Sequence, residues 1–408
     1  MPATLALTLG RRIASPFRGL PPSVYIQVVA TLLNTMGGIA KLFLPLFFLE
    51  RYQLSYSSIG LLMSCYGLGC LAGAYAGGAL SDRLDARKLT AALLLAGGIF
   101  TLCLALPLPV WAFVPLLLLA GLADGGFRPG NMRLALEPCS PDKRPTAQGM
   151  YRVAFNLGTS LAGITGGLLA HYGYHWVFIA QGLCSMLACG WMVWAYRHYG
   201  IALPAKHSHN ATAAADTSGS PWRDLAFLQF LLGLLLIVAV FDQMYGTLGL
   251  FLRQHYGLGP EWIGYLFTLN GLMVVCLQVW IARRVGRWGL ARCSQLSVLC
   301  MGCSFLLLNA GQQPLWALLA MVVLTIGELL MSPTWSTLVM LRSEGRQRGR
   351  YLGIYNAAWS GRALYAPALG TWAYGQFGGA MLWWLCAAIG VLTALLQAGP
   401  LRRMLAAQ

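Results

Sequence analysis

Seven ionisable side chains stand in otherwise apolar stretches: Lys41, Asp124, Arg128, Arg133, Asp242, Glu328 and Arg362. A charge at the centre of a bilayer costs about 2.5–3.5 kcal/mol on insertion scales. Several such groups persist only if they face one another or water. A low-dielectric site favours the neutral form of a carboxyl, and a nearby cation favours the charged form. Asp124, Asp242 and Glu328 are therefore the expected proton-carrying set. Glu328 ranks first, because it sits mid-stretch with no basic residue within a helical turn. Asp124 and Arg128 are four residues apart, so they share a helix face and are expected to pair. Arg128, Arg362 and Lys41 are expected to hold anionic groups of a ligand, since a guanidinium suits bidentate carboxylate contacts. Lys41 and Asp242 both lie toward the outer ends of their stretches and are expected to pair there. Arg133 is close enough to a stretch end to snorkel and reads as structural. The competing reading of the whole set is a group of buried structural ion pairs.

These residues need long apolar helices to carry them. The chain has 408 residues, of which 58% are hydrophobic and only 10% charged, against roughly 25% charged in soluble domains. That nearly excludes a water-soluble enzyme. A window of about 19 residues gives twelve candidate spans, the first at 24–48, the seventh at 226–251 and the eleventh at 350–374. Backbone crossing lipid must satisfy its own hydrogen bonds, so each is a helix. The fold class is all-α integral membrane.

The net charge of +16 does not point to nucleic acid, because the basic residues sit between apolar blocks. The N-terminus, the 2–3, 4–5, 8–9 and 10–11 connections, the middle segment and the tail hold nearly all of them. The other side holds only Arg51 and Arg253. By the positive-inside rule both termini are cytoplasmic. The eleven cysteines fall mostly within spans, where thiols act as small hydrophobes. The Cys300–Cys303 pair, His207 with His209, and His171 with His175 lack further ligands, so no metal and no cofactor are expected. Asn210 and Thr212 form a sequon on the cytoplasmic side, where it stays unused. No secretory signal is expected in residues 1–20.

Residues 199–223 are polar and rich in small residues, and read as a linker between an N-terminal bundle, 1–198, and a C-terminal bundle, 224–408. Sliding the chain by 204 residues brings Tyr52 onto Tyr256, Gly60 onto Gly264, Gly67 onto Gly271, Arg83 onto Arg287, Pro129 onto Pro333 and Gly149 onto Gly353. Asp124 meets Glu328, an acid opposite an acid. Six spans per half in the same orientation make a parallel repeat. That is the architecture of secondary transporters, whose site lies between the halves near the midplane.

Gly78-x-x-x-Asp82-Arg83-x-Asp85-x-Arg87-Lys88, between spans 2 and 3, resembles the signature loop of the major facilitator superfamily. Asp85 stands where that loop has glycine, and Ala86 where it has a basic residue. The second copy, 282–287, lacks the aspartate. The resemblance implies two six-helix bundles rocking around a cavity lined by spans 1, 4, 7 and 10, with Asp82 and Arg83 latching the cytoplasmic side. Gly125-Gly126-x-Arg128-Pro129 and Gly327-Glu328-Leu329-x-x-Ser332-Pro333 are similar to motifs of proton-coupled oligopeptide transporters. Span 1 lacks that family's Glu-x-x-Glu-Arg, and span 5 lacks the proline of typical drug antiporters.

The expected function is alternating-access transport of a small organic molecule, proton-coupled, with efflux favoured over uptake of a peptide-like or anionic metabolite. The partners are that small-molecule substrate, protons and the lipid bilayer, with the protein a monomer in a bacterial inner membrane. An enzyme is not expected: no HExxH, GxSxG or nucleotide-binding loop is present. A transporter-fold sensor would not need the buried charges. Gly69, Gly73 and Gly77 form a small-residue stripe on span 2, read either as static packing or as a surface on which the halves slide. Tyr66, Tyr151, Phe155 and Tyr245 are among the aromatics that could line a cavity.

Overall fold

The computed structural model describes residues 19–37, 40–140, 142–201, 220–343 and 348–405. Arg11, Arg12, Lys206, His207, His209, Asn210 and Arg346 fall outside these, as do the side chain of Asp82 and most of the expected linker. The described chain is helical throughout. Span 1 comprises Pro22–Gly37 and Ala40–Tyr52. Spans 2 to 6 are Tyr56–Arg83, Ala86–Cys103, Val110–Leu136, Arg144–Tyr172 and Tyr174–His198. Span 7 comprises Leu225–Phe241, Gln243–Gly246 and Leu248–His255. Spans 8 to 12 are Pro260–Trp288, Leu290–Ser304, Pro314–Arg342, Arg348–Phe377 and Gly379–Leu405. Eleven of these stretches are long and apolar enough to cross a membrane. Span 11 is as long, 30 residues, but carries three arginines, a serine and an asparagine.

Local chemistry sets the helix ends. Ser55 and Asp224 accept from the amides of Ser58 and Phe227, capping spans 2 and 7. Pro260 and Pro314 open spans 8 and 10, where a missing N–H costs nothing. Gly173, at φ 137°, lets span 5 turn directly into span 6. Asp85, which departs from the signature loop, caps span 3 by accepting from the Arg87 amide at 2.9 Å. Arg87 then reaches the Ile201 carbonyl at 2.9 Å, tying this loop to the end of span 6.

The repeat is visible in the bonds as well as in the letters. Tyr52 donates to the Leu108 carbonyl at 2.9 Å, and Tyr256 donates to that of Leu308 at 2.9 Å. Each tyrosine ties the first connection of its half to the third. Within a half, span 2 packs on span 4, span 1 on spans 5 and 6, and span 9 on spans 10 and 12.

The halves meet along two seams, span 2 on span 11 and span 5 on span 8. Both depend on glycine. A Cβ on Gly67 would lie 1.9 Å from the Ala363 carbonyl oxygen, and one on Gly60 2.1 Å from Thr371 Oγ1. On the other seam, a Cβ on Gly264 would lie 2.1 Å from the Gly163 oxygen, and one on Gly271 2.0 Å from Ser160 Oγ. Gly78, Gly149, Gly286 and Gly353, nearer the face with the basic connections, have open space instead. The seams therefore close toward the opposite face and part toward the basic one.

Two expectations need correction. The glycine stripe is not a sliding surface between halves: Gly69, Gly73 and Gly77 press on the backbone of Leu118, Leu122 and Gly126 in span 4 of the same half. Span 7 is not one helix. It breaks at Asp242 and again at Thr247, and the Gln243 side chain there reaches the carbonyls of Ala239 and Ala366.

Candidate functional site

A cavity lies chiefly within the first half, with Tyr245 and Phe267 of the second half closing over it. Its charged lining is Lys41, Asp124 and Arg128. Its aromatic lining is Tyr66, Tyr151, Phe155, Tyr245 and Phe267, and Asn34, Thr35, Thr159 and Gln181 add polar groups. Spans 1, 4 and 7 thus contribute as the resemblance implied. Span 10, expected to line the cavity as well, supplies none of its lining, whereas spans 2, 3, 5, 6 and 8 do.

Span 4 sets Asp124 and Arg128 one turn apart. Arg128 Nη2 donates to Asp124 Oδ2 at 3.2 Å, and the Tyr66 hydroxyl donates to the same oxygen at 3.0 Å. The second half repeats this arrangement in different chemistry. Asn270 Nδ2, on span 8, donates to Glu328 Oε2 at 2.9 Å. Asn270 stands 204 residues after Tyr66, and Glu328 stands 204 after Asp124. The halves differ one turn further on, where Arg128 is matched by Ser332. The Ser332 hydroxyl accepts from Arg152 of span 5, bridging the halves. No cation among the described residues stands within ion-pair distance of the Glu328 carboxylate.

Asp242 sits at the first break of span 7. It does not pair with Lys41 as expected, because Arg362 of span 11 reaches it first, Nε to Oδ1 at 2.7 Å. That guanidinium also donates to the Trp359 carbonyl and lies 4.8 Å from the Trp359 ring centroid. Asp242, Arg362 and Glu328 stand in the wall of the second half rather than on the cavity lining. Lys41 instead holds its ammonium 4.4 Å from the Tyr245 ring centroid, a cation–π contact between spans 1 and 7. No carboxylate among the described residues pairs with Lys41. Arg133 behaves as its position suggested, pairing with Glu137 at 2.8 Å and donating to the Ser81 carbonyl at 2.6 Å. Arg83 is exposed at the end of span 2.

On the opposite face the halves are bolted together. Arg253 pairs with Glu50 at 2.8 Å, and Tyr174 donates to Glu50 at 2.9 Å. Tyr374 donates to Gln254 at 2.7 Å, and Gln254 donates to Tyr56. Below this layer, Phe43 and Phe47 of span 1 and Leu248 and Phe251 of span 7 belong to one apolar core. A chamber sealed on one face and parted on the other, between two like bundles, is the geometry of an alternating-access carrier.

Residues 27–364 match the sequence model of the Major Facilitator Superfamily. The chain belongs to that superfamily. Among its superfamily relatives is the MFS-type transporter YttB of Bacillus subtilis, 24% identical over 361 residues, covering 86% of this chain and 88% of the relative. The multidrug resistance protein MdtH of Cronobacter sakazakii is 25% identical over 335 residues, covering 76% and 80%. The solved structure of a peptide transporter, POT, superposes with a TM-score of 0.77 at 17% identity, covering 97% of this chain and 98% of that one. That likeness is one of fold. This superfamily member is a multi-pass membrane transporter, not an enzyme.

Sequence reasoning missed Tyr66, Asn270, Arg152 and the Glu50–Arg253 bolt as partners. The repeat held the signal for two of them: the residues 204 apart that both face the paired acids are Tyr66 and Asn270.

Proposed function

We propose that the protein is a proton-coupled secondary transporter of a bacterial inner membrane that exports a small amphipathic organic anion. Its basic face and both termini lie in the cytoplasm, so the conformation described is open inward. The observation that carries the coupling is the solitary Glu328. Asp124 is neutralised by Arg128 and Asp242 by Arg362, whereas among the described residues Glu328 has only an amide donor and a hydroxyl-bearing residue one turn on. An uncompensated carboxylate in this setting is the group that exchanges protons with cavity water as the bundles rock.

Lys41 supports the substrate class. Among the described residues it is the cavity cation without a carboxylate partner, and an anion on the substrate supplies one. Tyr245 beside it, and Phe155 and Phe267 elsewhere in the same cavity lining, offer flat faces to an apolar or aromatic body. Arg128 and Arg362 contribute to the field but are already committed to acids. The multidrug relative supports export as the direction.

The test uses purified protein in proteoliposomes with an internal pH dye and a panel of aromatic acids, bases and zwitterions. An acid is expected to move protons on addition. Glu328→Gln is expected to abolish that signal while retaining exchange of labelled for unlabelled substrate. Intact proton movement in Glu328→Gln overturns the assignment. Uptake into everted vesicles on energisation tests export, and uptake only into right-side-out vesicles overturns it.

A further inference from the structure

The cytoplasmic end of span 8 carries a second concavity unconnected with the central chamber. It is an open groove lined by Cys276, Val279, Trp280, Arg283, Arg284 and Arg287. These positions recur at helical spacing and form one face. The opposite face, with Ile281 and Val285, is buried against Leu329 and Leu330 of span 10. The Arg284 guanidinium lies 3.9 Å from the Trp280 ring centroid, and the Trp280 and Trp288 rings stand 5.8 Å apart. Val279 is 56% exposed and Trp280 48%. No carboxylate among the described residues pairs with any of the three arginines.

Positive-inside topology alone does not account for this face, and the repeat supplies the control. The positions 204 residues earlier are Ala72, Tyr75, Ala76, Ala79, Leu80 and Arg83. Only Arg287 has a basic counterpart. The first half keeps its orientation without an arginine pair or a tryptophan at the same depth, so Trp280, Arg283 and Arg284 are additions peculiar to the second half. The aspartate of the signature loop, Asp82, is matched by Gly286, so the second copy has no acid there to neutralise them.

We propose that this groove binds the headgroup of an anionic phospholipid of the cytoplasmic leaflet. The phosphodiester sits among Arg283, Arg284 and Arg287, whose guanidiniums offer paired N–H groups to its oxygens. Stacking on Trp280 orients the Arg284 fork. One acyl chain descends along Val279 and Cys276, toward the apolar interior, and tryptophan stands at the headgroup level as interfacial aromatics do. The proposal needs the bilayer but not the substrate assignment, so the two stand or fall separately.

The test is native mass spectrometry of the full-length protein in detergent, titrated with phosphatidylglycerol, with phosphatidylcholine of the same chains, and with inorganic phosphate. The unmodified protein is expected to retain phosphatidylglycerol at least tenfold more tightly than phosphatidylcholine and to show no saturable phosphate binding. The triple variant Arg283→Gln/Arg284→Gln/Arg287→Gln is expected to lose that preference at least tenfold. Arg284→Gln alone, which changes one half-buried side chain at the groove, is expected to lose it about threefold, so the idea remains testable if the triple variant does not fold. The comparison variant Arg402→Gln/Arg403→Gln removes two exposed basic residues elsewhere on the same face and is expected to bind as the unmodified protein does. Unchanged phosphatidylglycerol binding in the arginine variants, equal loss in the comparison variant, or equal retention of both lipids overturns the proposal.

Discussion

Replacing Gly67 by alanine places a methyl group 1.9 Å from the Ala363 carbonyl oxygen. Ordinary contacts of a Cβ fall at 3.4 Å or more, so spans 2 and 11 must separate by about 1.5 Å at that level, or the backbone must shear. Overpacking of this kind costs about 1–3 kcal/mol. Because span 2 belongs to one half and span 11 to the other, the cost falls on the relative placement of the halves, which differs between the two ends of the transport cycle. At 1.4 kcal/mol per tenfold, the inward-open conformation loses a factor of about 5 to 150 against its alternative. Gly73→Ala makes a clash of similar size, 2.1 Å from the Leu122 oxygen, but span 4 lies in the same half. It is paid equally in both conformations, lowering stability without moving the equilibrium. Gly78→Ala meets nothing within 4 Å and serves as the reference. Hydrogen–deuterium exchange reads the difference. Gly67→Ala should speed exchange at residues 43–55 and 248–258, where the Glu50–Arg253 bolt opens, and slow it near 148–156. If Gly67→Ala and Gly73→Ala give the same exchange pattern, with equal drops in melting temperature, the idea that the seam sets conformational balance is wrong.

Three further outcomes are expected. Lys41→Met should weaken binding of an acidic substrate at least tenfold and leave that of its amide analogue within about twofold, measured by calorimetry on the purified protein; the charged contact is worth about 1.5–3 kcal/mol. Ser332→Arg installs beside Glu328 the cation that Arg128 supplies to Asp124, so substrate exchange should persist while substrate-driven proton movement is lost, both read in the same proteoliposomes. Asp224 is buried, which works against its charge, yet bonds from Arg342, the Phe227 amide and Tyr351 outweigh this and hold its carboxyl below the usual range. Its stabilisation is therefore complete above the ordinary aspartate value of about 3.9 and is lost as pH falls through the lower folded value. Asp224→Asn, which leaves Arg342 without its carboxylate partner, should cost about 3 kcal/mol at pH 7 and flatten the acid side of a melting-temperature profile.

The architecture was legible because its signals are cumulative. Runs of apolar residues, basic connections and one unbroken offset each extend over hundreds of positions. Pairings within the site are single events that depend on how each helix is rotated. The Asp124–Arg128 contact could be read, since both members lie on one helix. Asp242 could have met Lys41 or Arg362, and only the break in span 7 and the approach of span 11 decide between them. The glycines were similarly ambiguous: nothing in the letters distinguishes Gly73, which faces span 4, from Gly67, which faces span 11. Glu328 could be singled out because no basic residue lies within one turn of it, and among the described residues no other helix brings a cation within ion-pair distance.

The matched acids have a consequence for how such a machine is built from two copies of one part. A two-fold homodimer would have to change both copies at once, so an arginine one turn beyond the acid would pair with both. Fusion into one polypeptide frees the copies to specialise. Here one acid is held by an arginine while its twin, among the described residues, has an amide donor and no cation at ion-pair distance, a difference open only to a protein whose two sides are inherited separately.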